Sequence, residues 1–341
     1  LGARTPELAL ANKLVDKVAY EDEYHDMIRA KLKVDKKEKY DIVSITDYAK
    51  KASSTVEDYS KNDIIAVIYA QGEIAGGEGD VNVIGEGSIK RSLQEAREDK
   101  DVKAIVLRVN SPGGSALTSE LIWREIEITK KVKPVVVSMG NYAASGGYYI
   151  AANADRIFAE PNTITGSIGV FGMLPNMNQL GKNIGINAEQ VKTHENASGY
   201  SVFEPIDENF KGFVLESIEK TYATFLKRVA DGRKMTTAQV DAIAQGRVWT
   251  GVDAHKLGLV DEIGGLDAAI KYAAKLGKTS SYRTENYPEY EKSFEDMLAN
   301  FTGMAMFKTK EQLLKEQLGE EGFQMLEQIK RVKSRKGIQA I

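Results

Sequence analysis

Residues 102–115 read VKAIVLRVNSPGGS, and the fold is decided here. The first part is an apolar, β-branched run of the kind that fills a strand buried in a parallel sheet. The second part, Asn110-Ser-Pro-Gly-Gly-Ser115, leaves the strand through two consecutive glycines. Gly113 and Gly114 permit unusual backbone angles and let an N–H approach a ligand closely. Outward from this stretch the pattern repeats. Residues 64–69 (IIAVIY), 134–139 and 156–159 read as further strands, and 89–98, 116–129 and 145–154 read as helices. Strands alternating with helices predict parallel pairing through right-handed crossovers, an α/β fold. Residues 207–229 form a long amphipathic pattern with Val214, Ile218, Tyr222 and Phe225 on one face, and 236–245 a shorter helix opened by a Thr cap. Beyond Lys278 the chain is polar and aromatic, then helical over 310–333, and is expected to pack on neighbours rather than on this core.

The composition narrows the function. In 341 residues, 46 basic side chains face 49 acidic ones for a net charge of −3, with 42% hydrophobic positions. That length implies about two domains with a substantial core. The near-neutral balance lacks the basic stripe of a nucleic-acid binder. The absence of cysteine removes disulfides, thiolate metal sites and cysteine nucleophiles. His25, His194 and His255 are scattered, so neither a metal site nor a cofactor is expected. Residues 134–154 and 161–181 are uncharged for about 21 positions each, long enough for a membrane span. Both contain Pro and are rich in Gly, Asn, Ser and Thr, which marks packed backbone at an active site instead.

The chain also repeats itself. Thr5, Ala9 and Leu14-Val15-Asp16 recur at Thr250, Ala254 and Leu259-Val260-Asp261, an offset of 245, and Asp22 falls on Asp267. Residues 1–32 therefore read as the tail of a truncated first repeat, 33–62 as a charged linker or edge segment, 63–277 as the catalytic domain, and 278–341 as an oligomerisation or packing extension.

Three segments carry chemistry: Asn110–Ser115, Gly140-Asn-Tyr-Ala-Ala-Ser-Gly-Gly147 and Thr163-Ile-Thr-Gly-Ser-Ile-Gly169. Each follows a predicted strand, where α/β sheets gather ligands and catalytic groups. Ser145 stands among Ala and Gly at a helix start, which leaves its hydroxyl open to a bulky substrate and favours developing negative charge. The N–H groups of Gly114 and Gly146 are placed to form an oxyanion hole around a carbon attacked by Ser145.

The motifs VKAIVLRVNSPGGS (102–115), KPVVVSMGNYAASGGYYIA (133–151) and NTITGSIGVFG (162–172) resemble those of the signal peptide peptidase A family of serine proteases, in the ClpP/crotonase-like superfamily. The resemblance runs from about Ile64 to Leu276 and is to the C-terminal half of the long, tandem-repeat bacterial form. It implies a spiral of parallel strands and helices with a helical C-terminal extension. It also implies Ser145 as nucleophile, Gly114 and Gly146 as oxyanion donors, and Ser167 as the residue orienting a lysine base. A lysine acts as a base only if burial pulls its pKa down from about 10.4. No lysine falls near 197–201, where short members carry it, and long members carry it in the first repeat. Lys192 and His194 are the nearby substitutes, and both read as solvated loop residues.

The leading expectation is thus a serine endopeptidase that cuts hydrophobic peptides such as remnant signal peptides, with its base outside this chain. The alternatives are a crotonase-type acyl-CoA enzyme and an inactive assembly half. By resemblance the protein is a homo-oligomer, a tetramer foremost, at the bacterial inner membrane with its catalytic part facing the periplasm. Membrane attachment would come through a segment absent here. Exposed apolar residues of the tail (Phe294, Met297, Leu298, Phe301, Met304, Met306, Phe307) point the same way on assembly.

Overall fold

A computed structural model describes residues 5–35, 40–45, 48, 63–194, 197, 200–288 and 339–340. The chain divides into two compact units, 1–57 and 58–341.

In the first unit, α1 (Pro6–Ala11) starts with Pro6 in its first turn and the Thr5 hydroxyl accepting from the Leu8 N–H. Helix α2 (Glu21–Leu32) has Glu21, Asp22 and Glu23 in its first turn and Arg29 and Lys31 in its last, matching the helix dipole. Neither helix buries a residue. Most of the segment read as a linker, and the tail residues 294–307 and 310–333, lie outside the described residues.

The second unit is built on β1 (Asp63–Gln71), β5 (Val102–Ser111) and β6 (Val135–Ala144), all parallel. Three short strands, β2 (Glu73–Ala75), β3 (Gly79–Asp80) and β4 (Val83–Gly85), form a small sheet between β1 and β5. Helices α3 (Glu86–Glu98) and α4 (Ala116–Lys130) cover one face of the main sheet, burying Ile68, Leu107 and Met139 with Leu93, Ile122 and Ile126. The other face carries Ile65, Ala104, Val106 and Val136 against Ala269, Ala273 and Ala274 of α10 (Leu266–Leu276). The α/β class and parallel pairing expected from the alternation are what the structure holds.

Strand β6 departs from the expectation, and it positions the site. It runs to Ala144 rather than to 139, and its two halves have different partners. Val136–Ser138 pair with β7 (Arg156–Ala159), whereas Tyr142–Ala144 pair with β8 (Ile164–Gly166). Both partners belong to the same eight-stranded sheet, and the change of partner falls just before Ser145. The helix that follows, α5 (Gly146–Ala151), is shorter than the 145–154 read from sequence.

Past β9 (Val170–Phe171) and α6 (Asn178–Asn183), α7 spans Glu208–Arg233. Of its four expected core residues only Phe225 is buried, while Val214, Ile218 and Tyr222 are half-buried. Helix α8 (Thr237–Ile243) opens with the expected cap at Thr236, reciprocated by Gln239. Then come β10 (Val248–Thr250), antiparallel to β8, α9 (Gly251–Lys256), and β11 (Glu262–Ile263) beside β7.

The parallel sheet continues past residue 277. Strand β12 (Tyr282–Tyr287) pairs in parallel with β1 along Asp63–Ile68, so the sheet takes in residues assigned to the extension. Its sequence, YRTENY, is polar because an edge strand is half solvated. The last described pair, β13 (Gln339–Ala340), lies antiparallel to β9.

Candidate active site

Ser145 joins β6 to α5 at φ 57° and ψ −121°, outside the regions comfortable for a side-chain-bearing residue. Such a conformation costs on the order of 1–3 kcal/mol and persists only where its surroundings hold it. Two backbone bonds do so. The Ser145 N–H donates to the Gly166 carbonyl and the Tyr149 N–H donates to the Ser145 carbonyl, both at 2.9 Å. The side chain is 1% exposed, and its hydroxyl oxygen has no hydrogen-bond partner among the described residues. A buried hydroxyl left unpaired is unfavourable by about 1–3 kcal/mol, so its persistence calls for an explanation in function.

The two glycines before α4 wrap this hydroxyl. Gly113 has φ 104°, and a Cβ there would stand 2.7 Å from Ser145 Cβ and 2.8 Å from its Oγ. Its N–H donates to Ser111 Oγ at 3.1 Å. Gly114, at φ 149°, is bridged to Ile74: Ile74 N–H donates to the Gly113 carbonyl and Ser115 N–H to the Ile74 carbonyl, each at 2.8 Å. A Cβ on Gly114 would run into that Ile74 carbonyl. In such a bridge the N–H of Gly114 itself points away from Ile74. A Cβ on Gly146 would lie 3.3 Å from the Gly114 nitrogen. Gly146 opens α5, so its N–H has no partner within the helix. Neither N–H has an acceptor among the described residues. The structure therefore brings Ser145, Gly114 and Gly146 together.

Ser167 is beside them. It follows Gly166, the register partner of Ala144, and is itself left-handed at φ 50° with its N–H on the Arg247 carbonyl at 2.7 Å. Two threonine hydroxyls pin this strand to β6: Thr165 to the Ala143 carbonyl and Thr163 to the Gly140 carbonyl, both 2.7 Å. Lys192 and His194 are exposed, and the His194 ring meets only the Thr193 hydroxyl, at 3.3 Å. Neither reaches Ser145. Among the described residues no cluster of three or more His, Asp or Glu is arranged to hold a metal.

One part of the support escapes sequence reading. The Tyr149 hydroxyl donates to Glu120 Oε2 at 2.6 Å, and Arg228 forks onto the same carboxylate through Nε at 3.2 Å and through Nη2. The guanidinium lies 3.7 Å over the Trp123 ring. Burial, then the bond to Glu120, pushes the Tyr149 phenol well above its ordinary range, so it remains a donor. This network ties α4, which begins after Gly114, to α5, which begins after Ser145, and both to α7. Glu120, Tyr149 and Arg228 share no spacing that a periodicity could reveal.

The family model described as Peptidase family S49 matches residues 127–280. Protease 4 of Haemophilus influenzae is 45% identical over 70% of this chain, and Protease 4 of Salmonella typhi 38% identical over 89%. These alignments cover 39% and 48% of the two relatives, so the chain spans about half their length or less. A chain of Enterococcus faecium named "Putative signal peptide peptidase SppA" is 34% identical over 68% of this chain and 69% of its own length.

Proposed function

The chain belongs to peptidase family S49, in its signal peptide peptidase A branch, and from that premise we propose that it is the nucleophile-bearing half of a serine endopeptidase. One observation carries the reading: a strained, buried Ser145 whose hydroxyl, like the neighbouring N–H groups of Gly114 and Gly146, has no hydrogen-bond partner among the described residues. In the proposed reaction Ser145 Oγ attacks the peptide carbonyl carbon. The base takes the hydroxyl proton, and the two N–H groups bind the oxygen that gains negative charge. Collapse expels the amine, which takes the proton back, and leaves an ester on Ser145. Water, activated by the same base, then releases the acid. Ser167 orients that base, a lysine contributed by a preceding repeat.

The preceding repeat has structural support. At the offset of 245, α1 falls on α9 residue for residue, the start of α2 falls on the start of α10, and Thr5 and Thr250 each cap their helix. Leu259 and Val260 are buried, and Asp261 pairs with Arg233, whereas Leu14, Val15 and Asp16 are exposed. The first unit thus carries the same pattern with these positions exposed.

The substrates are hydrophobic peptides, remnant signal peptides among them, and the complete protein is a homo-oligomer. Assembly is supported by exposed Phe213 and Leu215 on the N-terminal half of α7, which buries nothing before Phe225. No helix among the described residues is long and apolar enough to cross a membrane. Placement at the bacterial inner membrane, facing the periplasm, rests on family membership. A fluorophosphonate probe tests the reading: Ser145 should be the labelled residue, and Ser145→Ala should abolish labelling. Labelling elsewhere, or none in a complete and folded protein, would refute it.

A further inference from the structure

Helix α10 covers only the first halves of the central strands. Beyond it, on the same face, Tyr69 and Gln71 are exposed and their register partners Arg108 and Asn110 half-buried, across β1 and β5, with the buried Ser138 of β6 beside Arg108. They border a cavity of about 150 Å³ lined by Tyr69, Gln71, Arg108, Asn110, Gly140 and Asn141. It lies at the carboxyl ends of parallel strands, where sheets of this class collect ligands. It is distinct from the Ser145 site, because Ser111, the next residue along β5, is turned inward and holds the Gly113 N–H.

The polarity of this cavity is set by the protein. No carboxylate lines it, and Arg108 has no acidic partner among the described residues. Arg108 Nη1 donates to Ser138 Oγ and to the Met139 carbonyl, both at 2.8 Å, which fixes the guanidinium plane. Its Nε–Nη2 edge remains, and two parallel N–H groups on one edge match a carboxylate. Asn110 is oriented too. Its Oδ1 accepts the Tyr142 N–H at 3.2 Å, so the amide presents its NH₂ as a second fixed donor. Gly140 keeps the floor open, since a Cβ there would press on Asn110 Oδ1 at 2.9 Å. A half-buried cation and an oriented donor, with no acid to neutralise them, make an anion receptor, and the volume admits one small group rather than a nucleotide.

We propose that Arg108 and Asn110 form a binding site for a single carboxylate, from a small organic acid or from the free C-terminus of a peptide. Its position joins it to the chemistry. Asn110 begins the segment that carries Gly114, and Gly140 begins the one that carries Ser145. The site stands whether or not Ser145 is a nucleophile, because probe labelling of Ser145 reports on that separately.

Backbone-amide NMR of the 341-residue chain, titrated with acetate, an N-acetylated dipeptide acid and the corresponding dipeptide amide, tests it. Both acids should shift the Asn110 and Asn141 signals saturably, and the amide should not. Tighter binding by the dipeptide acid than by acetate identifies a peptide terminus as the source, and equal affinity identifies a small free carboxylate. Arg108→Gln should remove the response. Asn141→Asp leaves the Arg108 bonds intact, adds a negative charge at the rim, and should weaken binding by about tenfold without changing the melting temperature. Equal binding of amide and acid, or unchanged binding by Asn141→Asp, would overturn the proposal.

Discussion

The Ser145 N–H donates to the Gly166 carbonyl at 2.9 Å, which places Ser145 and Ser167 just past the ends of the neighbouring strands β6 and β8. Both residues have positive φ, 57° and 50°, so both are held by their surroundings rather than by intrinsic preference. The site is assembled from backbone geometry first, and its side chains are correspondingly few.

Gly113→Ala should abolish probe labelling of Ser145. The added Cβ would sit 2.8 Å from both the Ser145 hydroxyl oxygen and the Gly146 nitrogen, at a φ that disfavours any side chain. The expected destabilisation is on the order of 1–3 kcal/mol. Gly212→Ala is the control: its Cβ would meet nothing within 4 Å, and in a helix interior it should add up to about 1 kcal/mol. Urea unfolding and labelling rate read both outcomes.

Tyr149→Phe should lower stability by about 1–2 kcal/mol, since one hydrogen bond to Glu120 is lost while Arg228 still covers the carboxylate. Arg228→Ala should cost more, because it leaves Glu120 without its cation and uncovers the Trp123 ring. Urea unfolding of both variants, with labelling rates at Ser145, shows whether joining α4 to α5 also positions the N–H groups of Gly114 and Gly146.

Asp261→Asn should destabilise this chain by about 1–3 kcal/mol, because Asp261 accepts from Arg233 at 2.6 Å and from the Ile157 N–H at 2.8 Å. Asp16→Asn, at the equivalent position of the first unit, should leave it unchanged. In a longer protein that includes the preceding repeat, the two substitutions should become comparably harmful. Thermal melts of the four proteins check this.

How much of this was legible in the sequence follows from what each residue depends on. The β-branched runs of β1 and β5 and the small residues around Ser145 announce themselves locally, so the central strands and the grouping of Ser145 with Gly114 and Gly146 were readable. The second half of β6 was not. Gly140 and Asn141 interrupt its apolar run, and it persists as a strand because Thr163 and Thr165 pin β8 against it. Strand β12 was hidden by its polar edge composition. The Glu120–Arg228 pair joins helices far apart in the chain, and such an ion pair leaves no periodic trace.

The central claim is that Ser145 is a nucleophile whose base lies outside this chain. The most direct test compares peptide hydrolysis by the isolated 341-residue chain with that of the same chain preceded by its first repeat, at equal concentrations of folded protein. General-base assistance is worth 10²–10⁴-fold, so the isolated chain should be slower by about that factor, and Lys192→Ala should leave the longer protein's rate largely intact. Equal rates for the two proteins, with Lys192→Ala removing the activity, would place the base in this half and contradict the account.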